Sequence, residues 1–147
     1  MRLALLLLIC IFFNSCGYSP IYKSIKEFNY SQIIYNGDKK LNRQITSALS
    51  LKEDKNNNSL NKLTLETNKK ILVTSKNSKG QIQSYRMVIY LNLIIENSEK
   101  KIQQKTFVKD FSYNTKNNKF ELSEYENQIE NNLIQEIIEE INIYLNT

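Results

Sequence analysis

The stretch from 81 to 96 reads QIQSYRMVIYLNLIIE, and its alternation decides the fold. From residue 85 onward every second residue is apolar, which is the period of a β-strand with one face on a core. These positions are Tyr85, Met87, Ile89, Leu91, Leu93 and Ile95. Polar turns at 77–80 and 97–100 bound the strand. Short turns favour antiparallel neighbours, so a meander of three strands is predicted.

The segments on either side of this strand fit the two other strands of the meander. Between 60 and 76, apolar residues again occupy odd positions, and between 102 and 113 three aromatic residues share one face. The residues concerned are Leu63, Leu65, Ile71 and Val73 in the first segment, and Phe107, Phe111 and Tyr113 in the second. We therefore predict strands at 60–76, 81–96 and 102–113.

A further strand and a helix are predicted before the meander. Residues 28–35 read FNYSQIIY, a β-favouring composition that ends at Asn36 and Gly37. Asp38 is a suitable N-cap for a helix whose apolar stripe then runs to about Leu51. The stripe consists of Leu41, Ile45, Ala48 and Leu49. The Asn-rich stretch 52–59 is predicted to be a loop.

The last segment of the chain gives the strongest helical pattern. After a predicted loop at 114–119, Ser123 and Glu126 have the spacing of a capping box, and the helix is expected to run to about Leu145. Its apolar stripe is Ile129, Leu133, Ile137, Ile141 and Leu145, widened by Ile134 and Ile138. The polar face is acidic, whereas a membrane-surface helix would have a basic one, so this stripe is assigned to the core.

The element order is thus β-α-β-β-β-α, and the predicted class is α+β. We expect a mostly antiparallel four-stranded sheet with two helices packed on one face, in a single domain over residues 28–147. That packing leaves Val88, Tyr90 and Ile94 on the other face of the central strand. An apolar outer face indicates either a partner or coverage by the N-terminal strand or a loop.

The N-terminus has the features of an export signal. Arg2 precedes an unbroken apolar run at 3–13, which is too short to span a bilayer but fits the apolar core of a secretory signal. Ser15 and Cys16 then resemble a bacterial lipobox, although Phe13 and Asn14 depart from its usual residues. We therefore expect a lipoprotein signal peptide at 1–15, lipidation of Cys16 and a lipidated tether at 16–27, which would anchor the chain firmly in a membrane.

The charge of the chain is unevenly distributed. Residues 16–119 contain 19 Lys and Arg against 8 Asp and Glu, whereas residues 120–147 contain 7 Glu and no Lys or Arg. Cations near the strand ends are candidates for contact with an anionic surface or with an acidic partner. These candidates are Lys76, Lys79, Arg86, Lys105 and Lys109. The alternative is that these cations form a solvated surface whose positive charge balances the acidic helix.

Several function classes are excluded by composition. The chain of 147 residues has no His, 2 Cys and 3 Gly, and its three Asp residues show no paired spacing. We therefore expect no catalytic residues, no metal site and no cofactor. Nucleic acid is not an expected partner, because the basic residues are scattered and the aromatic ones fall mostly on apolar faces.

One motif resembles a known family. The opening of the mature chain, residues 16–22, reads CGYSPIY, which resembles the Cys-Gly-Phe-x-Pro-Leu-Tyr start of the LptE family of lipopolysaccharide-assembly lipoproteins. Tyr18 and Ile21 replace the usual Phe and Leu. The element order and the long last helix also look like that family.

The resemblance implies a function. Such a protein is lipid-anchored at the periplasmic face of the cell outer membrane, where it helps to assemble and plug a β-barrel partner (LptD) and assists delivery of lipopolysaccharide to the outer leaflet. It is not an enzyme. On this resemblance, Val88, Tyr90 and Ile94 are expected to face the barrel. The candidates for contact with lipopolysaccharide or the partner are Lys76, Lys79, Arg86, Lys105 and Lys109. Two other interpretations stay open, an auxiliary lipoprotein of another envelope transport complex and a freestanding periplasmic binding domain.

Overall fold

The computed structural model describes residues 28–56 and 61–146. The predicted signal peptide, lipidation site and tether lie outside these residues. The described elements are, in chain order, β1 (Phe28–Tyr30), β2 (Gln32–Gly37), α1 (Lys39–Ala48), β3 (Leu51–Glu53), β4 (Lys62–Lys76), β5 (Ile82–Glu96), β6 (Ile102–Asn114) and α2 (Lys119–Asn146).

The architecture confirms the predicted α+β class. Four strands form one sheet in the order β2-β4-β5-β6, and a second sheet contains only β1 and β3. The meander β4-β5-β6 is antiparallel throughout, while β2 lies parallel to β4 and pairs with it only over residues 62–67. The sheet is therefore mixed but mostly antiparallel.

The first strand and the loop at 52–59 differ from the prediction. The stretch 28–35 is divided at Ser31, whose backbone N–H donates to the Asn61 carbonyl at 2.9 Å. Residues before Ser31 form β1, which pairs with Leu51–Glu53, and those after it form β2. The loop predicted at 52–59 therefore begins at Asp54 instead of Lys52, because residues Leu51–Glu53 form β3, the partner strand of β1.

The end of the first helix and the start of the last helix also differ from the prediction. The first helix ends at Ala48 rather than Leu51, because Ser50 adopts a left-handed conformation (φ 49°) that turns the chain into β3. The last helix begins at Lys119, before Ser123. Asn118 provides the cap in its place, since its side-chain oxygen accepts a hydrogen bond from the Phe120 N–H at 2.8 Å.

Both helices pack on the same face of the sheet, as predicted. This face, which carries the odd-numbered residues of β4, β5 and β6, is called the inner face, and the opposite one the outer face. The core joins the inner face to the apolar stripes of the helices. Its most deeply buried members are Leu41, Ile45, Leu63, Leu65, Met87, Ile89, Leu91, Leu93, Ile134, Ile137 and Ile141.

The start of α1 is locked against β4 by polar contacts. The Asp38 carboxylate accepts from the backbone N–H groups of Lys40 and Leu41 at 2.8 and 3.1 Å, as the predicted cap requires. Gly37 has a φ of 85°, and a Cβ there would lie 1.8 Å from the Thr67 carbonyl oxygen. Only glycine allows the chain to pass so close to β4 in this conformation.

A buried carboxylate connects both helices with the sheet. Glu130 of α2 is 2% exposed and accepts hydrogen bonds from Lys40 of α1, at 2.6 Å, and from Lys69 of β4. Burial raises the pKa of Glu130, but the two ammonium groups outweigh that effect and hold it below its usual value. We call Glu130, Lys40 and Lys69 together the clamp. The clamp keeps a charged carboxylate in the core.

Candidate binding surface on the distal half of the sheet

The sheet extends well beyond the elements that cover it. The pairing of β2 with β4 ends at Thr67. Among the described residues, no fourth strand therefore pairs with the part formed by 68–76, 82–90 and 108–114. We call this part the distal half. Along residues 68–76, β4 is an edge strand, and edge strands offer unpaired backbone groups to another chain.

Three of the predicted cations lie on the hairpin that forms the distal half. Lys76 ends β4 and pairs with Ile82, while Lys79 lies in the turn that Gly80 closes with a φ of 78°. The turn is built on Asn77, whose side-chain oxygen accepts from the backbone N–H groups of Lys79 and Gln81 at 3.0 and 2.9 Å. The hairpin tip is thus ordered and carries two lysines.

The third cation, Arg86, is already engaged. Its Nε donates to the Asp110 carboxylate at 2.7 Å across the outer face. The hydrogen bond from Arg86 lowers the pKa of Asp110, and the same bond raises the pKa of Arg86. Both side chains are partly exposed, so the guanidinium keeps donors free to meet an anion from solvent. Sequence reasoning missed Asp110 as the partner, because the register of β5 and β6 cannot be obtained from one sequence.

The other two cations lie apart from this group. Lys105 is opposite Leu93 on the inner face and is exposed. Lys109, on the same face, binds Glu140 of α2 at 2.6 Å and approaches Glu136 at 3.6 Å. Its hydrogen bond to Glu140 raises the pKa of Lys109. Lys109 therefore fits the alternative interpretation, in which the cations balance the negative charge of the acidic helix.

The outer face is a continuous surface that no described helix covers. Tyr90 is 38% exposed at its centre, with the Lys70 ammonium 5.7 Å from the ring centroid. Val88 is only 7% exposed and Ile94 is partly buried, so both contribute less apolar surface than Tyr90.

Two further apolar residues on this face were not identified from the sequence. Val108 lies directly opposite Tyr90 on β6, and Leu72 lies opposite Arg86 on β4. They are 46% and 48% exposed. Both occupy even positions, which the alternation of their strands indicates, but the residues that they oppose, Tyr90 and Arg86, depend on the strand register.

A polar ladder separates this apolar area from the proximal part of the outer face. The Asn92 amide nitrogen donates to Glu66 at 3.0 Å, and its oxygen accepts from Gln104 and Thr106 at 3.0 and 3.2 Å. The ladder spans β4, β5 and β6, so it fixes the strand register at this level.

The inner face of the distal half is also incompletely covered. Ile71, Val73 and Phe111, which the alternation places with the core, are 42%, 47% and 47% exposed. Ile71, Leu72 and Val73 are thus three consecutive exposed apolar residues at the distal edge of β4. Their side chains alternate between the two faces of the sheet.

The chemistry of this surface is that of binding. It combines aromatic and aliphatic side chains with cations, and such composition is typical of interfaces. Among residues 28–56 and 61–146 no group of three acidic or Cys side chains could hold a metal ion. Within the same ranges no helix has the length and apolar character needed to cross a bilayer.

The same α+β fold occurs in solved structures that are named as lipoproteins. The chain has the fold of rare lipoprotein B from Shewanella oneidensis, with 14% identity, coverage of 78% of this chain and 92% of that chain, and a TM-score of 0.62. A minor lipoprotein from Acinetobacter baumannii has 15% identity, coverage of 78% and 90%, and a TM-score of 0.55.

A solution structure of lipoprotein B from Nitrosomonas europaea is also similar, with 8% identity, coverage of 82% and 84%, and a TM-score of 0.55. No protein-family model matches the sequence, and no curated protein matches it. At these identities the likeness establishes the fold, and the function has to be argued from the chain itself.

Proposed function

We propose that this chain is an outer-membrane lipoprotein that helps to assemble and plug the lipopolysaccharide-export β-barrel and assists delivery of lipopolysaccharide to the outer leaflet. Three independent features support the proposal. They are the signal and lipobox pattern that ends at Cys16, the opening CGYSPIY that resembles the LptE family, and a fold shared with structures named as lipoproteins.

The observation that carries the barrel role is the uncovered outer face of the distal half. Tyr90, Val108 and Leu72 are each between about a third and a half exposed. Burying such a surface releases roughly 25 cal/mol for each Å² of apolar area, so a stable partner gains from covering it. A barrel interior is a suitable partner because it can enclose both faces of the distal sheet.

The test is co-purification of the native, full-length protein from its own membranes. We expect a stoichiometric complex with a large outer-membrane barrel. The triple variant Leu72→Ser, Tyr90→Ser and Val108→Ser should lose the barrel, because it removes the apolar contacts while leaving the buried core intact. The matched control is Phe120→Ser with Ile143→Ser, two helix residues that are 74% and 66% exposed and lie away from the outer face.

Each result separates the alternatives. Recovery of the barrel by the control and its loss from the triple variant support the proposal. Recovery of an inner-membrane or trans-envelope partner would replace it with the auxiliary role in another transport complex. A stable monomer without partners would leave only the freestanding binding domain.

A further inference from the structure

A second concave site lies outside the distal half, between α1, β3 and the end of β2. It is an open cleft of about 890 Å³. That volume is in the range of clefts that bind small molecules. It shares no residue with the hairpin tip or with Leu72, Tyr90 and Val108 of the outer face, so it is a separate candidate site.

The lining of the cleft combines cations with apolar surface. Lys39 and Arg43 lie one helical turn apart on α1, and Lys52 of β3 provides a third cation. Tyr35, which is 46% exposed, contributes apolar surface, whereas Leu51 lines the cleft from the core and is only 7% exposed. None of the ten described residues that line the cleft is acidic.

These cations are placed differently from the lysine next to them in sequence. Lys40 points to Glu130 and belongs to the clamp between the helices. Arg43, by contrast, uses its Nε for the Lys39 backbone carbonyl at 3.3 Å, which leaves the terminal guanidinium nitrogens to meet a ligand. A guanidinium beside an ammonium group is well suited to a phosphate, which accepts bidentate hydrogen bonds.

We propose that this cleft binds a single-chain amphiphile with a phosphate head. The head would contact Lys39 and Arg43, and the alkyl chain would lie along the exposed ring of Tyr35. The N-terminal segment 16–27 of the chain itself is a less suitable occupant, because Lys23 and Lys26 outnumber Glu27 and would meet three like charges. The site is independent of the barrel proposal and can be tested without it.

The experiment is calorimetric titration of the full chain in phosphatidylcholine nanodiscs, with empty nanodiscs as the blank. The probes are octyl phosphate, inorganic phosphate as the head alone, and octyl glucoside as a chain with an uncharged head. We expect octyl phosphate to bind about tenfold tighter than either of the other two, because only it meets both parts of the cleft.

Two variants locate the binding. Lys39→Ser with Arg43→Ser should reduce the affinity for octyl phosphate to that for octyl glucoside, and Ser47→Trp should abolish binding of both by filling the cleft. Lys62→Ser with Lys119→Ser removes the same charge from exposed positions outside the cleft and outside the hairpin tip, and should change nothing. Since Ser47 and Arg43 are exposed, these changes are compatible with folding.

Three results would overturn the proposal. One is an affinity for octyl phosphate no higher than that for inorganic phosphate. Another is an equal loss of affinity in the variant Lys62→Ser with Lys119→Ser. The third is tighter binding after deletion of residues 17–27, which would show that the chain's own N-terminal segment occupies the cleft.

Discussion

Glu130 shows how one residue determines the packing of three elements. The carboxylate is 2% exposed, while the Lys40 and Lys69 side chains that bind it are 53% and 31% exposed. Removing one member of a buried pair leaves the other charge without compensation, which is costly. Here the two lysines can turn toward water, which limits that cost to the loss of their hydrogen bonds.

We predict that Glu130→Gln lowers the free energy of unfolding by about 1–3 kcal/mol at neutral pH. Since folding lowers the pKa of Glu130 below its usual 4.5, its contribution is complete above pH 4.5 and is lost as the pH falls through the folded value. The difference between wild type and variant should therefore shrink below pH 4.5. Denaturant titrations over this pH range measure it.

Glu139→Gln, at an exposed position of the same helix, is the control and should leave the stability almost unchanged. A difference between wild type and Glu130→Gln that stays constant from neutral to acidic pH would contradict the assignment. In that case the substitution would act through packing, with no contribution from the charge.

At the scale of elements, alternation and helical period predicted every long segment. The strands β4, β5 and β6 and the stripe of α2 follow directly from the spacing of their apolar residues. What could not be predicted depends on contacts between distant segments. The break at Ser31 requires Asn61, and β3 exists because β1 pairs with it.

The candidate surface was only partly predictable for the same reason. Tyr90 was identified because its strand is recognisable alone. Leu72, Val108 and Asp110 become significant only through the register that places them beside Arg86 and Tyr90. Ile71 and Val73 were assigned to the core, since the sequence does not show that β2 ends opposite Thr67.

The β4–β5 hairpin carries its own prediction. Replacing Lys76, Lys79 and Arg86 with Ser should weaken binding of lipopolysaccharide by the purified protein at low salt, because each cation near an anionic surface contributes roughly 1 kcal/mol. The effect should diminish at high salt, where screening shortens the range of these interactions. Binding is measured by titration at two ionic strengths.

The matched control for the hairpin removes three cations from the opposite end of the molecule, Lys55, Lys62 and Lys101. Lys101 is ion-paired with Glu99, as Arg86 is with Asp110, so each set contains one engaged cation. An unchanged affinity in the hairpin variant, or an equal decrease in the control, would contradict a specific role of the tip.

At the scale of the whole molecule, chain entry and the exposed surface lie at different ends of the sheet. The described chain begins at β1 and enters the sheet through Gln32, which pairs with Lys62 at the start of β4. The hairpin tip follows the end of that strand, fifteen residues long. A strand rises about 3.3 Å for each residue, so the tip lies on the order of 45 Å from the entry point.

If Cys16 is lipidated as proposed, this separation would give the anchor a specific function. An anchor on Cys16 would hold the entry end at the bilayer and leave the distal half free to reach a partner. We predict that Cys16→Ser releases the protein from the membrane fraction and lowers recovery of the barrel severalfold in cells. Membrane fractionation and mass spectrometry of the mature N-terminus measure both effects.

The purified variant should still bind the purified barrel when both are mixed in detergent, because the outer face is unchanged. Loss of binding in that mixture would show that the anchor itself contributes to the interface, and a wild-type protein that retains Met1 in its native host would remove the anchor from the mechanism.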